Sequence, residues 1–416
     1  MRRLPLLIGA EQVDAEEWMA VTDPGDGSTI AEVAGGTERD VDAAVTAAHE
    51  AMNEWQALGP VGRARAMERY AQIFNAGLDE LAELMHAEMG KPLPEARAEV
   101  ARAGEVMTYF AAEAERVLVT QVPGATVASG SWIRPAPIGV VAAITPWNFP
   151  VALVSWKLGP ALAAGCAVIS KPAIEAPLAA RRVCEMAVEA ELPPGLVSCL
   201  TGDGPRLGEA LAKHPGVAKV AFTGSRRVAE QIAAWAAPRL KALSLELGGH
   251  GPLVVLPDAD LDVTAEVAVV QGYANAGQAC YSVNRVLAPP SLSGDLLERM
   301  RERIASLELG PMATDRGFAR HETLVADARE HGATVEGGEP VGSNRLAPAL
   351  VTGASAGTMV VDEEPFTPIV TVMEMDDVDS AVAEANRPDY GLVGYVCGRD
   401  LRRTLEVAQS INSGTV

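Results

Sequence analysis

The stretch Ile138-Gly139-Val140-Val141-Ala142-Ala143-Ile144-Thr145-Pro146-Trp147-Asn148-Phe149-Pro150 decides how the chain is read. A short apolar run ends in a turn stiffened by two prolines, whose fixed φ and missing N–H stop a strand. The uncharged segment from Pro135 to Trp156 is long enough to suggest a membrane span. Pro146, Asn148 and Pro150 interrupt its middle, so it reads as a buried strand followed by a helix. The same unit recurs further along. Apolar runs at Cys166–Ser170, Leu196–Leu200, Val217–Phe222 and Leu243–Leu247 alternate with helically spaced segments such as Pro177–Ala190 and Arg226–Ala236. Strands alternating with helices pair in parallel through right-handed crossovers, so the expected fold class is α/β with a doubly wound parallel sheet. Ligands of such sheets bind beyond the carboxyl ends of the strands, where Thr145–Asn148, Lys171, Gly224-Ser225 and Glu246 fall.

Upstream, residues 1–40 alternate apolar and polar around Pro24-Gly25-Asp26-Gly27 and Gly35-Gly36, which predicts a small antiparallel meander. From Val41 to about Arg116 the apolar spacing is helical. Residues 117–137 are strand-like and broken at Pro123-Gly124, which predicts a hairpin. A second α/β block runs from Gly251, with strands at Leu253–Leu256, Val370–Met373 and Val393–Cys397.

A chain of 416 residues is too long for one core and predicts two or three domains. Its 48% apolar and 21% charged composition is that of a globular protein. A formal charge of −21 repels nucleic acid and anionic membranes, which argues against both as partners. Five cysteines, odd in number and sparse, point to a reducing compartment without a disulfide framework, and so to the cytoplasm. The apolar run near Met1 is too short for a signal peptide, and Glu11 and Asp14 follow it.

Chemistry concentrates in Leu245-Glu246-Leu247-Gly248-Gly249-His250 and in Asn275-Ala276-Gly277-Gln278-Ala279-Cys280-Tyr281. A thiolate is a strong nucleophile, and a carboxylate one water away can serve as general base. The plain alternative is a strand exit and an unrelated buried cysteine. The Asn148 amide can donate to an oxyanion or cap a helix. Lys171, at a strand end, can bond ribose hydroxyls or be an ordinary solvated lysine. Phe222-Thr223-Gly224-Ser225 followed by a helix start suits an anion, without matching G-x-G-x-x-G. Asp258-Ala259-Asp260-Leu261-Asp262 lacks the glycine and distal glutamate of a calcium loop and reads as a capping turn. The six histidines show no metal-ligand spacing, and no metal is expected.

Taken in order and spacing, Pro146–Pro150, Lys171-Pro172, Phe222–Ser225, Glu246–Gly249, Gly277–Cys280, Glu363-Glu364-Pro365-Phe366, Ala385-Asn386 and Tyr390–Leu392 resemble the NAD(P)-dependent aldehyde dehydrogenase superfamily over essentially the whole chain. The resemblance implies an oxidoreductase in which Cys280 attacks an aldehyde while Asn148 and the Cys280 N–H hold the oxyanion. Hydride transfer then leaves a thioester that Glu246 hydrolyses through water. It implies Lys157 as a further catalytic-site lysine. Thr145, Trp147, Lys171, Gly224, Ser225, Leu247, Glu364 and Phe366 become contacts for NAD or NADP, with Lys171 and Glu364 on ribose hydroxyls. The domains implied are a Rossmann-like dinucleotide-binding domain at 1–116 and 138–248, an oligomerisation hairpin at 117–137, and a catalytic domain at 249–416. A homodimer or homotetramer is expected.

Local strings look nearest to succinate-semialdehyde dehydrogenases, but Trp156 and Ala274 stand where those enzymes carry substrate-binding arginines. An unpaired substrate carboxylate is costly to desolvate, so an uncharged, hydrophobic or aromatic aldehyde is expected. Ile174 stands where NAD-preferring relatives carry a ribose-binding glutamate, with Glu175 one place later, so acceptance of NADP is expected. The chain ends at Val416, where relatives continue, and Leu307-Glu308-Leu309-Gly310-Pro311 looks condensed; a C-terminally shortened member is expected. Two other readings stand: ester hydrolysis by the same Cys–Glu–Asn set, and a non-catalytic chain that binds dinucleotide only.

Overall fold

A computed structural model describes residues 2–126 and 129–416. It divides into two compact units: Met1–Asp23, Ser28–Met89 and Leu93–Glu246 in the first, and Pro24–Gly27, Gly90–Pro92 and Leu247–Val416 in the second. The chain therefore changes unit directly after Glu246. The short turns at Pro24 and Gly90, read from sequence as parts of the first domain, belong to the second unit.

The first unit opens with β1 (Arg2–Leu4), β2 (Leu6–Ile8), β3 (Glu11–Val13), β4 (Trp18–Thr22) and β5 (Thr29–Ala34). Helices α1 (Glu38–Ala57), α2 (Gly59–Ala76), α3 (Leu78–Met89) and α4 (Leu93–Glu113) follow, then β6 (Thr120–Pro123) and β7 (Gly130–Ile133). The alternating part is β8 (Val140–Ile144), α5 (Pro150–Ala163), β9 (Val168–Lys171), α6 (Leu178–Glu189), β10 (Val197–Cys199), α7 (Gly204–Lys213), β11 (Val217–Thr223), α8 (Arg226–Ala236) and β12 (Ala242–Glu246). The main sheet has the order β12-β11-β8-β9-β10-β2-β3. Strands β8 to β12 are parallel, and the order reverses between β8 and β11. All five residues of β8 are buried, as expected of a strand covered on both faces.

The meander expected for residues 1–40 is corrected. β1 pairs in parallel with β5, while β2 and β3 leave to form an antiparallel edge on β10. Apolar alternation reports which face is buried, and says nothing of which partner a strand chooses. β6 and β7 do form the antiparallel hairpin, with every residue exposed. Val127 and Ala128 within it lie outside the described residues.

Polar atoms in this unit are met across long sequence separations. Trp55 Nε1 donates to the Leu162 carbonyl at 2.9 Å, and the Tyr70 hydroxyl to Val183 at 2.7 Å. α5 and α6 start without a local side-chain cap. Glu99 of α4 accepts the N–H groups of Val151 and Ala152 at 3.1 and 3.0 Å, and Glu88 of α3 those of Leu178 and Ala179 at 2.5 and 3.0 Å. Each buried N–H left unpaired would cost about 1–3 kcal/mol, which justifies burying the two carboxylates. Burial pushes Glu88 up to about 8, against the pull of its two N–H donors.

The second unit comprises β13 (Gly251–Val255), α9 (Leu261–Tyr273), β14 (Val283–Ala288), α10 (Pro290–Ile304), α11 (Asp315–Glu330), β15 (Thr334–Gly337), β16 (Pro340–Gly342), β17 (Arg345–Leu346) and β18 (Ala349–Thr352). It ends with α12 (Met359–Asp362), β19 (Ile369–Glu374), α13 (Val378–Ala385), β20 (Tyr395–Cys397) and α14 (Leu401–Ser410). Its sheet has the order β15-β18-β19-β14-β13-β20, parallel except for β15. The central strand β14 escapes a sequence search because Asn284 and Arg285 interrupt its apolar run, although both are buried. Asp260 caps α9 by accepting from the N–H groups of Asp262 and Val263, as its sequence suggests. Among the described residues no helix is long and apolar enough to cross a membrane.

Candidate active site

In the first unit the candidate residues gather at the carboxyl end of the main sheet, around the reversal between β8 and β11. The Pro146–Pro150 turn leaves β8 there, and Thr145 N–H bonds the Lys171 carbonyl of the neighbouring strand at 3.2 Å. Asn148 does not cap α5: the N-cap is Phe149, and Glu99 takes the first N–H groups of the helix. Asn148 is nevertheless buried. The capping reading of this asparagine is therefore corrected.

Two lysines lie in this region, both buried. Lys157 of α5 donates from Nζ to Thr223 Oγ1 at 2.6 Å. Burial pulls its ammonium down to about 8, and the charge of Glu246 opposes the shift. Lys171 is the last residue of β9 and only 5% exposed, which rules out the solvated-lysine reading. Burial lowers it too, opposed by Glu175, Asp203 and Cys199. Glu246, the last residue of β12, is exposed, and its carbonyl accepts the Gly224 N–H at 3.1 Å. A wet carboxylate at a strand end is placed to take a proton from water.

The second unit uses the opposite end of its sheet. Four loops enter the neighbouring parallel strands β19, β14, β13 and β20 at their amino ends. They carry Glu364 and Phe366, then Cys280, then Leu247 to His250, then Tyr390 to Leu392. The candidate residues of the first unit thus lie at the carboxyl ends of its strands, and those of the second at the amino ends.

Cys280 follows the most constrained backbone of the unit. Asn275, Ala276 and Gly277 have φ of 51°, 56° and 72°, three successive left-handed residues. Each non-glycine residue there costs about 1–2 kcal/mol, so the turn must be held from outside. Gln278 holds it: Nε2 donates to the Asn275 carbonyl at 2.9 Å and Oε1 accepts the Ala313 N–H at 2.9 Å. On the far side of the thiol, the Tyr395 hydroxyl donates to the Tyr281 carbonyl at 2.7 Å. Burial, with the nearby Cys280 sulfur, pushes that phenol up to about 12. Cys280 itself is only partly buried.

Glu364 and Phe366 lie on the loop into β19. Phe366 has φ of 53°, strained for an aromatic residue. Strain of this kind persists where surrounding structure over-determines it, and it clusters at functional sites. Burial raises Glu364 to about 7 while the Gly249 N–H, bonded to its carboxylate, pulls it down. A methyl on Gly248 would lie 2.1 Å from Glu364 Oε2, so the carboxylate would have to shift to admit any larger residue there.

Several of these features fit a dinucleotide. Thr145 Oγ1 and Glu364 Oε1 are buried without a hydrogen-bond partner among the described residues. Ser225 starts α8 without capping it through its side chain, at a helix N-terminus whose dipole suits an anion. Lys171, Gly224, Ser225, Trp147 and Thr145 sit in the first unit; Leu247, Glu364 and Phe366 sit in the second. Sequence reasoning missed the Gln278 clamp and the strained Asn275-Ala276 pair, because a left-handed asparagine or alanine leaves no compositional mark.

Residues 11–416 match the family described as "Aldehyde dehydrogenase family". The chain is 34% identical to succinate-semialdehyde dehydrogenase (NADP(+)) of Escherichia coli (strain K12), over 100% of this chain and 89% of that protein. It is 35% identical to glutarate-semialdehyde dehydrogenase of Pseudomonas aeruginosa, over 97% and 87% of the two chains. A crystal structure described as an E. coli NADP dependent enzyme superposes with a TM-score of 0.98 at 35% identity, covering 100% of this chain and 89% of that one.

Proposed function

The chain belongs to the aldehyde dehydrogenase family, enzymes that oxidise aldehydes with NAD or NADP, and on that premise we propose which of its residues carry the reaction and which aldehyde it takes. Cys280 is the nucleophile. Its thiolate adds to the aldehyde carbon, and the oxygen of the resulting thiohemiacetal carries the charge that Asn148 and the Cys280 N–H stabilise. A bound nicotinamide would supply the acceptor for the hydride that leaves this carbon. The carbon is thereby left as a thioester on Cys280. Glu246 takes a proton from water, the hydroxide adds to the thioester, and collapse releases the carboxylate and the thiolate. Lys157 orients the Thr223 hydroxyl and balances the charge of Glu246. Thr145, Trp147, Lys171, Gly224, Ser225, Leu247, Glu364 and Phe366 hold the dinucleotide.

The observation that best supports Cys280 is the triple left-handed turn before it, clamped by Gln278. Such strain is retained where a backbone N–H must point one way. Glu246→Gln is expected to separate the two halves of the reaction. Each Cys280 should yield about one equivalent of reduced nicotinamide in a rapid burst, with later turnover slowed by about 10²-fold or more. Mass spectrometry of the quenched variant should find the acyl group on Cys280. Linear turnover with no burst and no adduct would remove Glu246 from the hydrolytic step.

For the substrate, Trp156 is 49% exposed on α5 and Ala274 begins the turn before Cys280. These uncharged side chains support an uncharged, hydrophobic or aromatic aldehyde. A second reading has its own support, since the E. coli and P. aeruginosa relatives are named for semialdehydes that carry a carboxylate. The comparison that decides is kcat/KM for hexanal and benzaldehyde against succinate semialdehyde. Uncharged substrates should lead by about tenfold or more, and Trp156→Arg should move the ratio toward the semialdehyde by about 10–100-fold, the worth of one charged hydrogen bond. A wild-type preference for succinate semialdehyde would establish the second reading.

Ile174 packs into the apolar cluster of Leu4, Val21, Ala31, Val33 and Leu178, which supports tolerance of a 2′-phosphate and use of NADP. Of the two arginines that begin α8, Arg226 pairs with Glu230 at 3.0 Å, which makes Arg227 the better candidate for that phosphate. The exposed Leu118, Trp132 and Ile133 of the hairpin region support a dimer or tetramer. Five cysteines, none of them in a disulfide among the described residues, support a cytoplasmic setting.

A further inference from the structure

Arg285, in the middle of β14, is 0% exposed, and no step of the proposed chemistry uses it. Its Nη1 donates to the Glu384 carbonyl at 2.8 Å and to Glu384 Oε1 at 3.0 Å. Its Nη2 donates to the carbonyls of His250 at 2.9 Å and Ala385 at 3.3 Å. Burying a guanidinium is costly, here the more so because Nε is buried without a partner among the described residues while Nη1 and Nη2 are satisfied, and an apolar side chain at the centre of a parallel sheet would pack as well. The arginine therefore needs a reason, and its partners supply one.

His250 closes the Gly248-Gly249 turn. Its ring nitrogen Nε2 lies 3.1 Å from the Val361 carbonyl, so that nitrogen carries the proton and donates. Burial, with Arg285 nearby, pulls the imidazole down to about 3, so the ring is neutral. The same Val361 carbonyl accepts from Arg387 Nη2 at 2.8 Å. Arg387 also pairs with Glu384 at 3.0 Å and with Asp362 at 2.8 Å. One step along the chain, the Gly251 N–H bonds Asn284 Oδ1 at 3.2 Å. Two segments are thus fixed by one network: the turn that offers the Gly249 N–H to Glu364, and the end of α12 three residues before Glu364. Hydrogen bonds set direction as well as distance, which apolar packing does not.

We propose that Arg285 and Arg387, bridged by Glu384, are positioning residues that set the Glu364 carboxylate for a ribose hydroxyl of the dinucleotide. The inference rests on the reading of Glu364 as a cofactor contact. Arg285 and Arg387 touch neither substrate nor cofactor in this account; they act through the Gly249 turn and the Val361 carbonyl.

The test is a double-mutant cycle read by fluorescence titration with NADPH and NADH, with steady-state kinetics beside it. Arg387→Met is the lead variant, because that side chain is 34% exposed and its loss leaves Arg285 to neutralise Glu384. The dissociation constant for the cofactor should rise about tenfold, kcat should stay within about threefold, and the aldehyde KM should not move. Arg387→Lys should recover part of the loss. Glu364→Gln alone should weaken the cofactor by a similar factor, and adding Arg387→Met to it should change little, because residues acting through one contact are not additive. Arg285→Lys should follow the same pattern where it folds. Effects that multiply, or that fall on kcat or the aldehyde KM, overturn the positioning role. Weakening by Glu364→Gln with a silent Arg387→Met overturns the positioning role and leaves the cofactor contact standing. A silent Glu364→Gln overturns the cofactor contact first, and the inference with it.

Discussion

Cys280→Ser is expected to abolish aldehyde oxidation, with kcat reduced by about 10⁴-fold or more, while dinucleotide binding stays near that of the parent chain. A serine hydroxyl at neutral pH is almost wholly protonated, whereas a thiol supplies a nucleophilic thiolate fraction and is the better leaving group when the thioester collapses. Losses of this size are usual when a nucleophile is removed from a group of residues that act as a unit. The fold should survive. Cys280 is partly exposed, the turn before it is held by Gln278, and the residue after it is held by Tyr395. Nicotinamide absorbance at 340 nm, with reduced-cofactor fluorescence as the binding control, reads both halves of the prediction. The same variant removes any cofactor-independent cleavage of activated esters, if that also runs through this thiol. Residual oxidation within about tenfold of wild type would transfer the nucleophile to another residue.

What could be read from the sequence followed one physical condition: whether a segment's partners lie close to it in the chain. The five strands from Val140 to Glu246 were legible because each is an apolar run bounded by turn residues, and the first four are each followed by a helix. The positions of Lys171 and Glu246 at the carboxyl ends of β9 and β12 were legible because each closes an apolar run. Cys280 needed more, since a cysteine after a Gly-Gln turn is common, and the accumulation of ordered motifs singled it out. β14 failed because its buried Asn284 and Arg285 look like surface residues until His250, Glu384 and Ala385 reach Arg285 from 35 to 100 positions away. The caps on α5 and α6 failed for the same reason, coming from Glu99 and Glu88, which lie 52 and 90 residues upstream of the first N–H each accepts. The N-terminal strands were found and their pairing was not, because alternation fixes a face and leaves the neighbour open. The opposite polarity of the second unit's site, at the amino ends of its strands, has no sequence signature.

Gly277→Ala is expected to be the most damaging single-methyl change in the second unit, and a matched control can show why. The added Cβ would lie 2.1 Å from the Thr367 carbonyl oxygen, 2.4 Å from its carbon and 2.8 Å from Pro368 N, all backbone atoms with no rotamer to relieve the overlap. The Cys280 loop would have to part from the loop that carries Glu364 and Phe366. Alanine must also hold φ near 72°, at about 1–2 kcal/mol. Gly353 isolates that second contribution: its φ is 71° and nothing lies within 4 Å of its Cβ position. Gly353→Ala should therefore lose only about 1–2 kcal/mol in denaturant unfolding and keep its kinetics. Gly277→Ala should lose about 3–5 kcal/mol, with kcat/KM down by about 10²-fold or more, because a nucleophile displaced by about 1 Å forfeits much of its orientation. If the two variants lose equal stability and both retain kcat/KM, the contact with Thr367 does not hold the Cys280 loop, and the rigidity of that turn is not what prepares the thiol.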